Sequence, residues 1–196
     1  EPEGIELTIL TDMTAEVRHA RMLRDRQFDI AELSMSNYMV AKDNGLPFIA
    51  IPVFLHRRFR HGFVFVNTSK GIAKPTDLIG KKVGVGSYHA TANLWMRGIL
   101  EHEFDVPHKQ IQWFNEHEGK IPWQAPPGLS IGKTPTGKNI VDMLLAGELD
   151  AVIDPEVIQP VAVKDPRVRR LFPNYRELEI DYFKRTGIFP IMHTTA

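Results

Sequence analysis

The chain of 196 residues contains no cysteine. That absence excludes a disulfide framework, a thiolate metal site and a cysteine nucleophile together. It also lacks net charge: 24 Lys and Arg stand against 24 Asp and Glu, so no globally basic surface exists to attract nucleic acid or an anionic membrane. Long apolar runs are missing as well. The longest, Phe48 to Leu55, carries Pro52 and falls far short of the roughly 20 residues that span a bilayer, so no membrane insertion is expected. Glu1-Pro2-Glu3-Gly4 shows neither an initiator Met nor a basic, apolar leader, which leaves a targeting segment absent or already removed. What is present is ordinary globular material, 43% hydrophobic and 24% charged, enough to build one core or two small ones.

Patterning alternates strand and helix. Ile5, Leu7 and Ile9 alternate with polar residues as in a half-buried strand. Thr14 is placed to cap a helix with Met13, Val17, Ala20 and Leu23 inward and Arg18, Arg21 and Arg24 outward. Phe28 to Leu33 reads as a strand and runs into a helix opened by Ser34 to Tyr38 and ended near Asn44-Gly45. Phe48 to Phe54 and Phe63 to Val66 read as strands, and Val83 to Gly86 as a strand feeding a helix through Thr91, Leu94, Trp95, Gly98 and Ile99. Further strands are expected at Ile111 to Phe114, Leu149 to Ile153 and Gly187 to Thr194. A helix through Ile140, Met143 and Leu144 is closed by Gly147, and Gly119 to Pro135 reads as a surface excursion. This order predicts an α/β protein of mixed sheets flanked by helices, in two lobes with a cleft between them. Ligands bind beyond the carboxyl ends of such strands, which points to the loops at Ser34 to Tyr38, Ser87 to Thr91 and Asp154-Pro155.

Several short motifs resolve into plain structure. Gly132 to Lys138 matches seven positions of a phosphate-binding loop, but Asn139 stands where a hydroxyl must ligand magnesium and Pro135 removes a backbone donor; a surface loop with Thr136 as helix cap is the expectation. Gly84-Val85-Gly86 resembles the start of a dinucleotide fingerprint, yet His89 occupies its last glycine position. A tight strand-to-helix turn is expected there, its helix start offering Ser87, Tyr88, His89 and Thr91 to an anion. His102-Glu103 has no second histidine at zinc-protease spacing. Spacing supplies no metal ligand set, although four of the 8 histidines could converge in space. The run His56-Arg57-Arg58-Phe59-Arg60-His61 concentrates three guanidiniums and two imidazoles between apolar strands. Arginine can clamp a carboxylate through two parallel hydrogen bonds and histidine can move a proton near neutral pH. Arg60 and His61, as neighbours, are not both expected to face a cleft.

Phe28 to Ser34, Pro47 to Phe54, Phe59-Arg60-His61, Tyr88, Thr91, Trp95 to Leu100 and Arg185 to Thr194 together resemble the 4,5-dihydroxyphthalate decarboxylase family, a branch of the type II periplasmic-binding-protein fold. The resemblance implies a discontinuous first lobe, residues 1–62 and 176–196, around a second lobe of residues 63–175. It also implies a partial chain cut at both ends, since family members extend further. His89 and Asp154-Pro155-Glu156 depart from the family pattern, and both lie on expected cleft loops.

The activity implied is conversion of 4,5-dihydroxyphthalate to protocatechuate and carbon dioxide. Deprotonating the phenol para to the departing carboxylate supplies electrons to the ring; the ring carbon takes a proton, and loss of carbon dioxide restores aromaticity, so no cofactor is chemically obligatory. Such a site needs a base, an acid and donors for the carboxylates. On this reading His61 and His193 share proton transfer, and Arg60 holds a carboxylate with hydroxyls from Ser34, Ser36 and Thr91. Tyr38, Tyr88 and His89 complete the substrate pocket. The partner is a small aromatic carboxylate, with a homo-oligomer admitted and a cytoplasmic location for the enzyme. Two alternatives stay open: a non-catalytic periplasmic solute-binding protein delivering an aromatic carboxylate to a transporter permease, and a cofactor-free biosynthetic enzyme of the same fold acting on another carboxylated ring.

Overall fold

In a computed structural model, residues 3–119, 121, 123 and 125–196 are described. Glu1 and Pro2 of the chain start, and Lys120, Pro122 and Gln124 of the expected Gly119–Pro135 excursion, lie outside them. Strands β1 (Glu32–Ser34) and β2 (Ile51–Arg57) flank β9 (Ile191–Thr195) in a small antiparallel sheet of order β1-β9-β2. Six strands form the larger sheet: β3 (Val64–Asn67), β4 (Lys82–Val85), β5 (Gln112–Asn115), β6 (Ile131–Lys133), β7 (Ala151–Ile153) and β8 (Val168–Arg170). Their order is β6-β5-β4-β7-β3-β8, with β3 antiparallel to both neighbours and the other pairs parallel.

The apolar runs of the larger sheet reflect burial on both faces. Val64 and Val66 of β3 enter one core with Val83, Val85, Ala151, Ile153 and Trp113, whereas Phe63 and Phe65 enter the other with Val152, Ile140 and Leu144. Helix α3 (Thr91–Phe104) covers the first core and α4 (Ile140–Leu145) the second. Gly84 is small for a packing reason: a Cβ there would stand 2.6 Å from Leu149 Cδ1 and 3.0 Å from Ile140 Cγ2. After α5 (Gln159–Ala162) and β8, helix α6 (Tyr175–Thr186) adds Tyr182 to the first core. Around the small sheet, Leu33, Phe48, Ala41 of helix α2 (Met35–Asp43), and Met22 and Leu23 from the segment that follows helix α1 (Ala15–Ala20) form a third core.

Several local expectations shift. Ile5, Leu7 and Ile9 form no strand and are exposed, because no neighbouring strand pairs with them among the described residues. Thr14 caps α1, its Oγ1 accepting from Val17 N at 3.3 Å, but the inward residues are His19, Met22 and Leu23 while Val17 is exposed. Leu23 is inward as expected; the face of α1 is turned so that His19 is buried in place of Val17, and a wider helical turn over Arg21–Asp25 brings Met22 inward beside Leu23. In α3 the buried side is Ala92, Met96, Ile99 and Leu100, whereas Leu94 is exposed. Asn139, not Thr136, caps α4, its Oδ1 accepting from Asp142 N at 2.8 Å. The lysines of the phosphate-loop lookalike are engaged, Lys133 with Glu118 and Lys138 with Glu148, and the excursion contributes the parallel edge strand β6.

Candidate functional site

Register builds the site. Ser34 on β1 and His56 on β2 both lie opposite His193 on β9, and Glu32 lies opposite Thr195 two residues along. Directly opposed residues share a face, as do residues two apart, so Ser34, Glu32, His193 and His56 stand on one side of the small sheet. Helix α1 brings buried His19 against them. His193 packs edge-on against both other imidazoles, with ring centroids 5.3 Å from His19 and 5.0 Å from His56.

This face forms one wall of a pocket of about 330 Å³. The small-sheet side supplies His19, Ser34, Asn37, His56 and His193, and the larger-sheet side supplies Ser87, Thr91, His117, Glu118, Pro155 and Glu156. Hydroxyls tie the sides together: Ser34 Oγ lies 2.7 Å and Ser36 Oγ 3.0 Å from Thr91 Oγ1, which also accepts from Ser36 N at 3.0 Å. Ser36 Oγ donates to the His89 carbonyl.

Glu32 is the centre of an ionic chain. One carboxylate oxygen meets His193 Nδ1 and the other meets the Arg18 guanidinium. Burial pushes its pKa up, but the His193 hydrogen bond and the charges of His193, Arg18 and His19 outweigh that and hold it below the ordinary carboxylate value. With Nδ1 engaged, Nε2 is the ring nitrogen His193 has left for other chemistry. His56 is held below its usual pKa, first by burial and then by His193, Arg60 and Arg58.

Arg60 is 3% exposed and lines the pocket, with Nη1 donating to the Pro155 carbonyl at 2.9 Å and Nε to Met192 Sδ at 3.1 Å. Burial, followed by the charge of Arg58, lowers its pKa to about 10, so it stays cationic at neutral pH. Arg58 is paired with Glu156, at 2.8 Å.

Of the residues expected from sequence, Arg60, His193, Ser34 and Thr91 meet in this pocket. His61 does not. It opens a tight turn, His61–Phe63, instead of a strand, and its ring sits 1% exposed among Phe104, Phe172 and Tyr182. Its Nδ1 stops 4.0 Å from Glu179 Oε1, too far for a hydrogen bond. Burial, partly opposed by Glu103 and reinforced by Arg185, takes its pKa down to about 4. The expected placing of His61 beside His193 is therefore corrected: it lies outside the pocket lining and packs against the first core of the larger sheet.

Ser36 stands behind the lining, joining the two sides. Tyr38 turns away, its hydroxyl accepting from Ala50 N at 3.2 Å. Tyr88 is buried against Trp113 and Trp123 beneath Arg97, whose Cζ lies 3.6 Å from the ring centroid. His89 packs on Trp123, ring centroids 4.3 Å apart, and its carbonyl accepts from Ser36 Oγ behind the pocket lining. These are corrections too, since aromatic packing claims side chains that the helix start was expected to present to an anion.

His19, Glu32 and His56 were the residues that pattern reading missed as site members. His56 lay in the basic run, Glu32 in an expected strand, and His19 on a helix read with another face inward. Only the β1-β9-β2 register and the packing of α1 on β1 reveal their convergence.

Two sheets around a cleft, with two chain crossings between them, define a periplasmic-binding-protein type of fold. The periplasmic aliphatic sulphonate binding protein SsuA from Escherichia coli superposes with a TM-score of 0.51 at 15% identity, over 89% of this chain and 49% of that one. More specifically, the chain belongs to the family described as the phosphonate ABC transporter periplasmic substrate-binding protein, whose family model matches residues 5–165. It is also similar to curated 4,5-dihydroxyphthalate decarboxylases, at 39% identity over 181 residues to that of Comamonas testosteroni and 34% over 171 residues to that of Pseudomonas putida. These alignments cover 89% and 84% of this chain but 55% and 66% of the relatives, so the chain spans less than two thirds of either. Among the described residues no helix is long and apolar enough to cross a membrane.

Proposed function

We propose that this cleft decarboxylates a hydroxylated aromatic dicarboxylate, 4,5-dihydroxyphthalate, to protocatechuate and carbon dioxide. The observation that carries the reading is the meeting, in one pocket, of a carboxylate-oriented imidazole, His193 on Glu32, with the buried cation Arg60. The names of the curated relatives support the choice of substrate. Arg60 holds a carboxylate, Ser34 and Thr91 offer hydroxyls to its oxygens, and His193 takes the proton from the phenol para to the departing group. His56, beside His193, delivers a proton to the ring carbon. The carbon–carboxylate electron pair then returns to the ring as carbon dioxide leaves.

Incubating the full-length protein with 4,5-dihydroxyphthalate and separating products by chromatography tests this directly. Stoichiometric protocatechuate is expected; tight binding of the compound with no product would overturn catalysis. That second outcome defines a solute-binding protein for an aromatic carboxylate, a reading favoured by the transporter family to which the chain belongs.

A further inference from the structure

The charge inside the pocket does not match a doubly anionic ligand. Arg60 is the sole Arg or Lys among the described lining residues, and the lining carboxylates Glu118 and Glu156 are each already paired with a cation outside it, Lys133 and Arg58. One carboxylate of a dicarboxylate has a guanidinium to meet; the remaining anionic oxygens of the substrate do not. A second positive centre beside the pocket would meet them, and the small-sheet wall holds a ligand set for one.

We propose that His19, Glu32 and His193 bind a divalent first-row transition metal ion at the small-sheet wall of the cleft. The three residues come from α1, β1 and β9, and one ligating atom from each lies within 4.8 Å of the others. Two imidazoles and a carboxylate form a borderline donor set suited to zinc, manganese(II), iron(II) or cobalt(II), and three protein ligands leave coordination positions open. Donors on a tetrahedral zinc at about 2.1 Å stand roughly 3.4 Å apart, so the cluster closes on an ion by small side-chain adjustments. The second carboxylate oxygen of Glu32 stays with Arg18, a partner of the kind that fixes a ligating group's orientation. His19 and His193 both line the pocket, so an ion bound by them is within reach of a ligand there.

The consequence for chemistry rests on the decarboxylation reading. With an ion held by His19, Glu32 and His193, a phenol oxygen at its open position would lose its proton to His56 or to solvent, with no electron transferred, and His193 would act through the ion in place of taking that proton itself. The cation also supplies the missing positive charge.

The test separates this site from the reaction. Full-length protein is stripped with a chelator and titrated calorimetrically with zinc, then with cobalt(II) followed by visible absorption. One ion per chain is expected, with Glu32→Gln and His19→Ala each weakening zinc binding at least about tenfold while retaining wild-type circular dichroism. His117→Ala, which removes another pocket histidine, is expected to leave the affinity unchanged. Absence of stoichiometric binding, or affinity unaltered by both Glu32→Gln and His19→Ala, overturns the site. Protocatechuate formed by protein that binds no metal would sink the metal and leave the decarboxylase reading standing. Zinc bound at this site with no product would do the reverse.

Discussion

The cleft and the first core of the larger sheet use the same two residue types to opposite ends. In the cleft, His193 has one nitrogen fixed by Glu32 and Arg60 sits at the pocket wall. In the interior, His61 is enclosed by aromatic rings and Arg97 is stacked on Tyr88, its Nη1 donating to the Tyr88 carbonyl at 2.6 Å. Both arginines have their pKa lowered to about 10, chiefly by burial. Burial and residue type therefore do not separate function from packing. What separates them is whether the surroundings leave an atom facing open volume.

The sharpest way to break this comparison is to exchange the histidines' roles by mutation. His193→Ala is expected to lower kcat for 4,5-dihydroxyphthalate by about 10²- to 10⁴-fold, the range for a lost acid-base group. His61→Phe is expected to leave kcat per folded molecule within a few-fold. Steady-state kinetics on both variants decides it, and the opposite ranking would place the chemistry in the wrong region.

His61 makes its own prediction through pH. Its folded-state pKa of about 4 lies below the ordinary 6.5, so the unfolded chain binds the proton more readily. Stability is full above pH 6.5 and is lost as pH falls from 6.5 through about 4, by about 3 kcal/mol in total. The groups facing it, Glu103, Glu179, Tyr182 and Arg185, are present in both proteins compared. Denaturant melts across that window are expected to show a shallower acid loss in His61→Phe than in wild type; identical slopes would remove His61 as the cause.

The arginine pair gives smaller effects. Arg60→Lys keeps the charge but loses the planar fork, so kcat/KM is expected to fall about tenfold with a modest change in melting. Arg97→Lys is expected to cost about 1–2 kcal/mol of stability, from the stacked guanidinium and its hydrogen bond, with kcat/KM per folded molecule unchanged. Smallest is Asn139→Ala at the start of α4, about 1 kcal/mol by urea melt, with no effect on turnover because the cap lies outside the pocket lining.

Much of the fold was legible because it is periodic. Thr91 to Phe104 is a helix and the β-branched runs around 64, 83 and 151 are strands, since burial on both faces of a parallel sheet writes near-continuous apolar segments. The helix faces were less legible. On α3, Leu94, Trp95 and Gly98 share the outer face with Met35 and Ile191 along an apolar groove, so hydrophobicity alone did not mark the inward side. In the site, Arg60 stood out by residue type and His193 through the family resemblance, while Tyr38, Tyr88, His89 and His61 could not be told from pocket residues. Aromatic and imidazole side chains serve packing as readily as binding, and local spacing does not encode which neighbour arrives from 50 or 130 residues away.

By itself the sequence determined the class: no thiol chemistry, no global charge, an α/β alternation, and a concentration of cations within residues 56 to 61. Tertiary structure decided which of those cations reach the pocket. The β1-β9-β2 register sets Glu32, Ser34, His56 and His193 on one face, the wider turn after α1 carries the chain on from His19, and the turn at His61–Phe63 sends His61 inward while Arg60 stays at the pocket. Registers and turns are long-range outcomes, fixed by which strands pair and which cores fill, and a period read along one segment does not contain them.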